Sequence, residues 1–173
     1  MTTSPAEQNA PDTTWSDLAR LDPARRVAAI GERLDQLLKL SDDQLHQRLG
    51  QMVRAEYALD GASLYQFTTS RLQALLAIAR RDAEQARRLA RAYDRVFDGL
   101  PGGLAMRRAE VVQTVARVEL GNDDVLLLRE LVPALLRQVP VVPSTASAGR
   151  AAVEAAEGAA GRATRRKPWW RLW

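Results

Sequence analysis

Apolar residues recur along this chain at helical spacing, and short polar, glycine or proline breaks separate the stripes. Trp15 to Leu21 predicts a short helical turn. Asp22-Pro23 then reads as an N-cap followed by proline at the first helical position. Val27, Ile30, Leu34, Leu37 and Leu38 follow, which predicts a first main helix over 23–40. Ser41-Asp42-Asp43-Gln44 has the form of a capping box. Leu45, Leu49, Met52, Val53 and Tyr57 form the stripe behind it. That second helix is expected to end at Asp60-Gly61, with glycine in the left-handed cap conformation.

Ser63 can cap a third helix, whose stripe runs from Leu64 through Phe67, Leu72, Leu75, Leu76, Leu89, Tyr93 and Val96 to Phe97. No glycine or proline interrupts residues 62–98, so the pattern predicts one long helix there, the spine of the fold. Gly99-Leu100-Pro101-Gly102-Gly103 breaks it. A fourth helix is expected over 104–120, with Val111, Val112, Val115 and Val118 on one side. Gly121-Asn122-Asp123 is a stop and restart, and a fifth helix is expected to begin at Asp123 or Asp124. It carries Leu126, Leu127, Leu131, Leu135 and Leu136, and Pro133 should kink it.

The expected fold is therefore all-α: an irregular five-helix bundle over 23–138 with one long central helix. Around it the pattern marks a disordered N-terminal leader (1–14), a helical domain (15–140), an Ala/Gly-rich linker (141–164) and a flexible C-terminal tail (165–173).

Composition narrows the chemistry. The chain has no cysteine and one histidine, His46. Disulfides, thiolate metal sites and cysteine nucleophiles are excluded, and histidine-based zinc sites or triads are hard to build. The N-terminus has no basic start or apolar core, so it does not read as a signal peptide. No apolar run approaches the ~20 residues of a membrane span. A cytoplasmic protein is expected. Lys39 and Lys167 are the only lysines, so the basic residues are nearly all arginine. With so much alanine, this is the signature of a GC-rich, bacterial genome and weakens arginine abundance as a sign of phosphate binding.

No catalytic motif emerges, so no catalytic residue, metal or cofactor is assigned and a non-enzyme is expected. The glycine-rich turn at 99–103 lacks the spacing of a phosphate loop and joins two helices. Asp43 and His46 lie three apart on one helix, but acids in a first turn favour the helix dipole. Asp123 and Asp124 are explained by capping. Glu110, Glu119 and Glu130 could meet as a carboxylate metal site, but the usual Glu-x-x-His partners are missing. Tyr57, Tyr65 and Tyr93 read as aromatics at the edge of the core.

Two constellations stand out. On a regular helix of ~100° per residue, Arg80, Arg81, Arg87, Arg88, Arg91 and Arg95 fall within an arc of roughly 120°. Only Glu84 interrupts the arc. It reads either as a phosphate-tracking stripe for nucleic acid or acidic headgroups, or as a solvated face with Glu84–Arg80 and Glu84–Arg88 pairs.

The second is the tail. Arg165, Arg166, Lys167, Trp169, Trp170, Arg171 and Trp173 combine cations with indoles, and residues 162–173 contain no acidic side chain. Three of the four tryptophans lie within 169–173. Indole at the headgroup level beside cations is the composition of an interfacial anchor. Five cations at ~1 kcal/mol each, and indoles at ~2 kcal/mol each, make a reversible, salt-sensitive contact.

The expected function is a non-enzymatic adaptor or regulatory protein. Its helical domain binds a protein partner or self-associates as a homo-oligomer. Its tail docks on an anionic membrane surface at the inner membrane face, or on a larger protein assembly. The alternative is a nucleic-acid-associated factor that uses the third-helix arginines and the tail.

Overall fold

The computed structural model describes residues 14–137 and 139. Of the expected leader (1–14) only Thr14 is described, as the N-cap of α1, and the linker (141–164) and tail (165–173) lie outside the described residues. The described residues are all helical, with no strand, and form eight helices. They are α1 (Trp15–Leu18), α2 (Pro23–Leu37), α3 (Asp42–Tyr57), α4 (Gly61–Arg81), α5 (Ala83–Asp98), α6 (Gly102–Val118), α7 (Asn122–Leu131) and α8 (Pro133–Leu136).

Local chemistry explains most boundaries. Thr14 and Asp17 form a capping box on α1. The Asp22 side chain accepts from Arg25 N, with Pro23 opening α2. Ser41 and Gln44 satisfy each other's end of α3 as expected. The cap of α4 differs from expectation: Asp60, not Ser63, is the N-cap, accepting from Ser63 N at 2.9 Å and Ser63 Oγ at 2.8 Å. Gly61 therefore opens α4 instead of closing α3, and no described glycine has a positive φ.

The long third helix is two helices. Asp82 lies between them with extended backbone (φ −151°, ψ 96°), and its carboxylate accepts from Glu84 N at 3.1 Å and Gln85 N at 3.0 Å. An aspartate competes with the helix by satisfying the next helix's free N–H groups. Arg80 and Arg81 suit the end of one dipole and Glu84 the start of the next. The third departure is at Pro133, where the expected kink is a full break. Val132 leaves helical geometry, and Pro133 starts the short α8. At α7, Gly121 is the N-cap without a side-chain hydrogen bond, so Asp123 and Asp124 sit in the first turn.

Helix α4 is the hub and packs against α2, α3, α5, α6 and α7. Its buried face carries Leu64, Phe67, Leu72, Leu75, Leu76 and Ile78. Phe67, Leu76, Leu128 and Leu136 are almost wholly shielded from water. On α6 the buried stripe is Arg108, Val112, Val115 and Ala116, and Val118 faces outward.

Candidate functional site

The break at Asp82 splits the arginine arc. Arg80 and Arg81 end α4, while Arg87, Arg88, Arg91 and Arg95 lie on α5. Five of the six meet carboxylates. Arg80 pairs with Asp124 of α7, and Arg81 Nη2 donates to Asp35 of α2 at 2.5 Å. Glu84 takes Arg91 at 2.8 Å and Arg87 at 3.5 Å, not the expected Arg80 and Arg88. Arg88 is a clamp. Its guanidinium donates to the carbonyls of Leu38 and Leu40, both at 2.8 Å, and to Asp42 Oδ1 at 2.8 and 3.0 Å. It thereby fastens the α2–α3 turn to α5, and its hydrogen bond and charge hold the Asp42 carboxyl below the usual carboxylate range. Arg95 makes no ion pair among the described residues. It shares a surface groove of about 540 Å³ with Asp42, Arg88, Arg91 and Asp94.

A second constellation is buried. Glu56, on the apolar face of α3, is fully shielded and accepts three hydrogen bonds. Thr68 Oγ1 donates to Oε1 at 2.9 Å, Arg71 Nε to Oε1 at 3.1 Å and Tyr93 Oη to Oε2 at 2.6 Å. Three donors from α4 and α5 replace the water that Glu56 gives up, which is the condition for a buried carboxylate to be tolerated. The Arg71 guanidinium lies 4.5 Å from the centre of the Tyr93 ring. Arg108 of α6 lies 4.9 Å from the same ring and 4.6 Å from that of Phe97, and its Nη2 reaches Asp94 at 2.5 Å. Burial alone would lower the pKa of Arg71, but the charge and hydrogen bond of Glu56 together with the phenols of Tyr93 and Tyr57 outweigh it and hold the guanidinium charged. Burial pushes the Tyr93 phenol well above its ordinary value, so it stays a donor. Glu56 thus ties α3, α4 and α5 together, and Arg108 brings in α6.

This network was not anticipated, yet a signal for it exists. Glu56 continues the stripe Leu45, Leu49, Met52, Val53. Arg71 falls between Phe67 and Leu75, and Arg108 precedes Val112 and Val115 on theirs. Arg26 occupies the corresponding place before Ile30 and Leu34 and donates to the Leu21 carbonyl at 2.6 Å. A charged residue in register with an apolar stripe marks a buried pair or clamp. The remaining candidates are peripheral. His46, Asp43, Glu110, Glu119 and Glu130 are exposed, and Glu119 accepts from Tyr65 at 2.7 Å. Tyr57 and Tyr93 belong to the core and not its edge. Among the described residues, no three His, Asp or Glu side chains are grouped as metal ligands.

No family model, curated protein or solved structure matches the chain. Fold and site define an all-helical protein with a buried charged network and an arginine arc of which five of six members meet carboxylates.

Proposed function

We propose that this is a non-enzymatic adaptor or regulatory protein whose segment 165–173 docks reversibly on an anionic membrane surface. The observation that carries the reading is a contrast in charge. Residues 14–137 hold 19 Lys/Arg against 17 Asp/Glu, whereas 162–173 hold five cations and no acid. Five of the six arginines once candidates for an anion-binding face spend their charge on carboxylates of the domain itself. Attraction to an anionic surface then falls to Arg165, Arg166, Lys167 and Arg171, with Trp169, Trp170 and Trp173 adding apolar area. No helix among the described residues is long and apolar enough to cross a membrane, which suits a peripheral contact. The non-enzymatic reading draws on the central cavity, whose buried ionisable neighbours already hold one another. Its volume of about 30 Å³ is on the scale of one or two water molecules.

Co-sedimentation with phosphatidylglycerol-containing vesicles tests this. The full chain should sediment, lose binding as salt rises, and ignore neutral vesicles. Removing 165–173 should abolish sedimentation, and equal binding by the shortened chain would refute the reading. A larger protein assembly as the target would instead appear as salt-dependent retention of that assembly by the tail without lipid binding.

One observation favours nucleic acid as the second reading: Arg88, Arg91 and Arg95 line one groove. Affinity for random duplex DNA should then fall steeply with salt and weaken in Arg91→Ala/Arg95→Ala. No binding at low salt disposes of it.

A further inference from the structure

Between the core helices lies a partly open cavity of about 30 Å³. Leu34, Met52, Leu75, Leu89, Val112 and Leu135 contribute to its apolar wall, and Arg71, Tyr93 and Arg108 supply a polar end. Both arginines are only 6% exposed. Each has donor capacity left over. Arg71 commits Nε to Glu56, and its buried Nη2 meets no acceptor. Arg108 commits Nη2 to Asp94, and its buried Nε meets none. A buried donor without a partner is strongly unfavourable, and more so on a charged group, so an acceptor that fits gains what the orphan loses.

Two arguments fix what fits. The first is size: a water molecule needs about 10–15 Å³ of such space, so the cavity has room for one or two water-sized molecules. The second is charge. Arg71 faces Glu56 and Arg108 faces Asp94, so two cations already meet two carboxylates. An anion would add uncompensated charge near Glu56 in a medium of low polarity. A neutral acceptor satisfies the N–H groups and leaves the balance intact.

We propose that this cavity is a binding site for a small uncharged hydrogen-bond acceptor, with water the first of that class, held by Arg71 Nη2 and Arg108 Nε. The guest joins the two ion pairs into one chain of polar contacts. That chain runs from Glu56 in the core to Asp94, whose side chain is half-exposed on the surface groove.

The Nε–H of Arg108 offers a direct probe, assigned by its disappearance in Arg108→Lys. In the full-length protein, a ¹⁵N-edited rotating-frame Overhauser experiment should show a cross-peak from this proton to water, opposite in sign to chemical exchange. Absence of that peak, with the proton slow to exchange, means a dry cavity and overturns the proposal. Replacing chloride by gluconate at constant ionic strength should leave the resonance in place, and a chloride-dependent shift would overturn it in favour of an anion site. Leu135→Phe should fill the chamber and abolish the cross-peak. If that variant does not fold, Val112→Ile adds one methylene to the same wall and should weaken the peak. An undiminished cross-peak in the folded filling variants would likewise overturn the assignment.

Discussion

Arg71 and Arg81 both belong to α4, and both meet a carboxylate, at 3.1 Å and 2.5 Å respectively. Distance alone would rank the Arg81–Asp35 contact as the stronger. Burial reverses the order. The Arg81 and Asp35 side chains are 60% and 39% exposed, whereas those of Arg71 and Glu56 are 7% and 0% exposed. In water, two unit charges about 4 Å apart attract by ~1 kcal/mol, and with an effective dielectric of ~20 by ~4 kcal/mol. Water can take over from either partner of the surface pair once the other is lost. Glu56 and Arg71 are both shielded from bulk water, so each depends on the other. The same residue type therefore decorates the protein in one place and fastens it in another.

The largest effect should come from leaving one buried charge alone. Arg71→Met should lower stability by about 3–5 kcal/mol in urea denaturation, because Glu56 is left buried without its partner. Glu56→Leu combined with Arg71→Met should recover most of that loss, since an apolar pair needs no solvation. A single-variant cost near that of a surface pair would erase the distinction between the two arginines.

Next in size is Tyr93→Phe. It keeps the ring beneath Arg71 and removes the phenolic donor from Glu56 Oε2, at a cost of about 1–3 kcal/mol measured the same way. Arg81→Ala should fall within about 0–1 kcal/mol and shrink further with added salt. A cost as large as that of Arg71→Met would show that exposure is a poor guide here.

The smallest effect concerns pH. Arg88 holds the exposed Asp42 carboxyl below its ordinary pKa. A depressed folded-state pKa contributes stability above the unfolded value, and this is lost as pH falls through the depressed one. In Arg88→Ala the Asp42 midpoint, followed by carboxyl ¹³C NMR, should therefore move up toward that of a free aspartate. An unmoved midpoint would remove Arg88 as the cause.

The stripes and caps made the all-α class and most helix boundaries legible, because a capping box or an Asp-Pro start acts within one turn. Three boundaries differ from the pattern, the full break at Pro133 among them. At Asp82 no glycine or proline marks the break, which is made by an aspartate flanked by Arg80, Arg81 and Glu84. At Asp60 two capping residues stood three apart, and the carboxylate took the position expected of Ser63. The arginine arc was legible as composition but not as a surface, because its partners Asp35, Asp42 and Asp124 come from three other helices.

What the sequence determined by itself is local: helical periodicity, the caps, the absence of thiol chemistry, and the concentration of cations with indoles in 165–173. Tertiary structure decided which charges are free. Glu56, Arg71 and Arg108 are ordinary charged residues until packing strips their water, and Arg80, Arg81 and Arg88 look free until distant carboxylates reach them. An electrostatic energy depends on the separation and solvation of two groups, and both are fixed only when helices far apart in the chain are brought together.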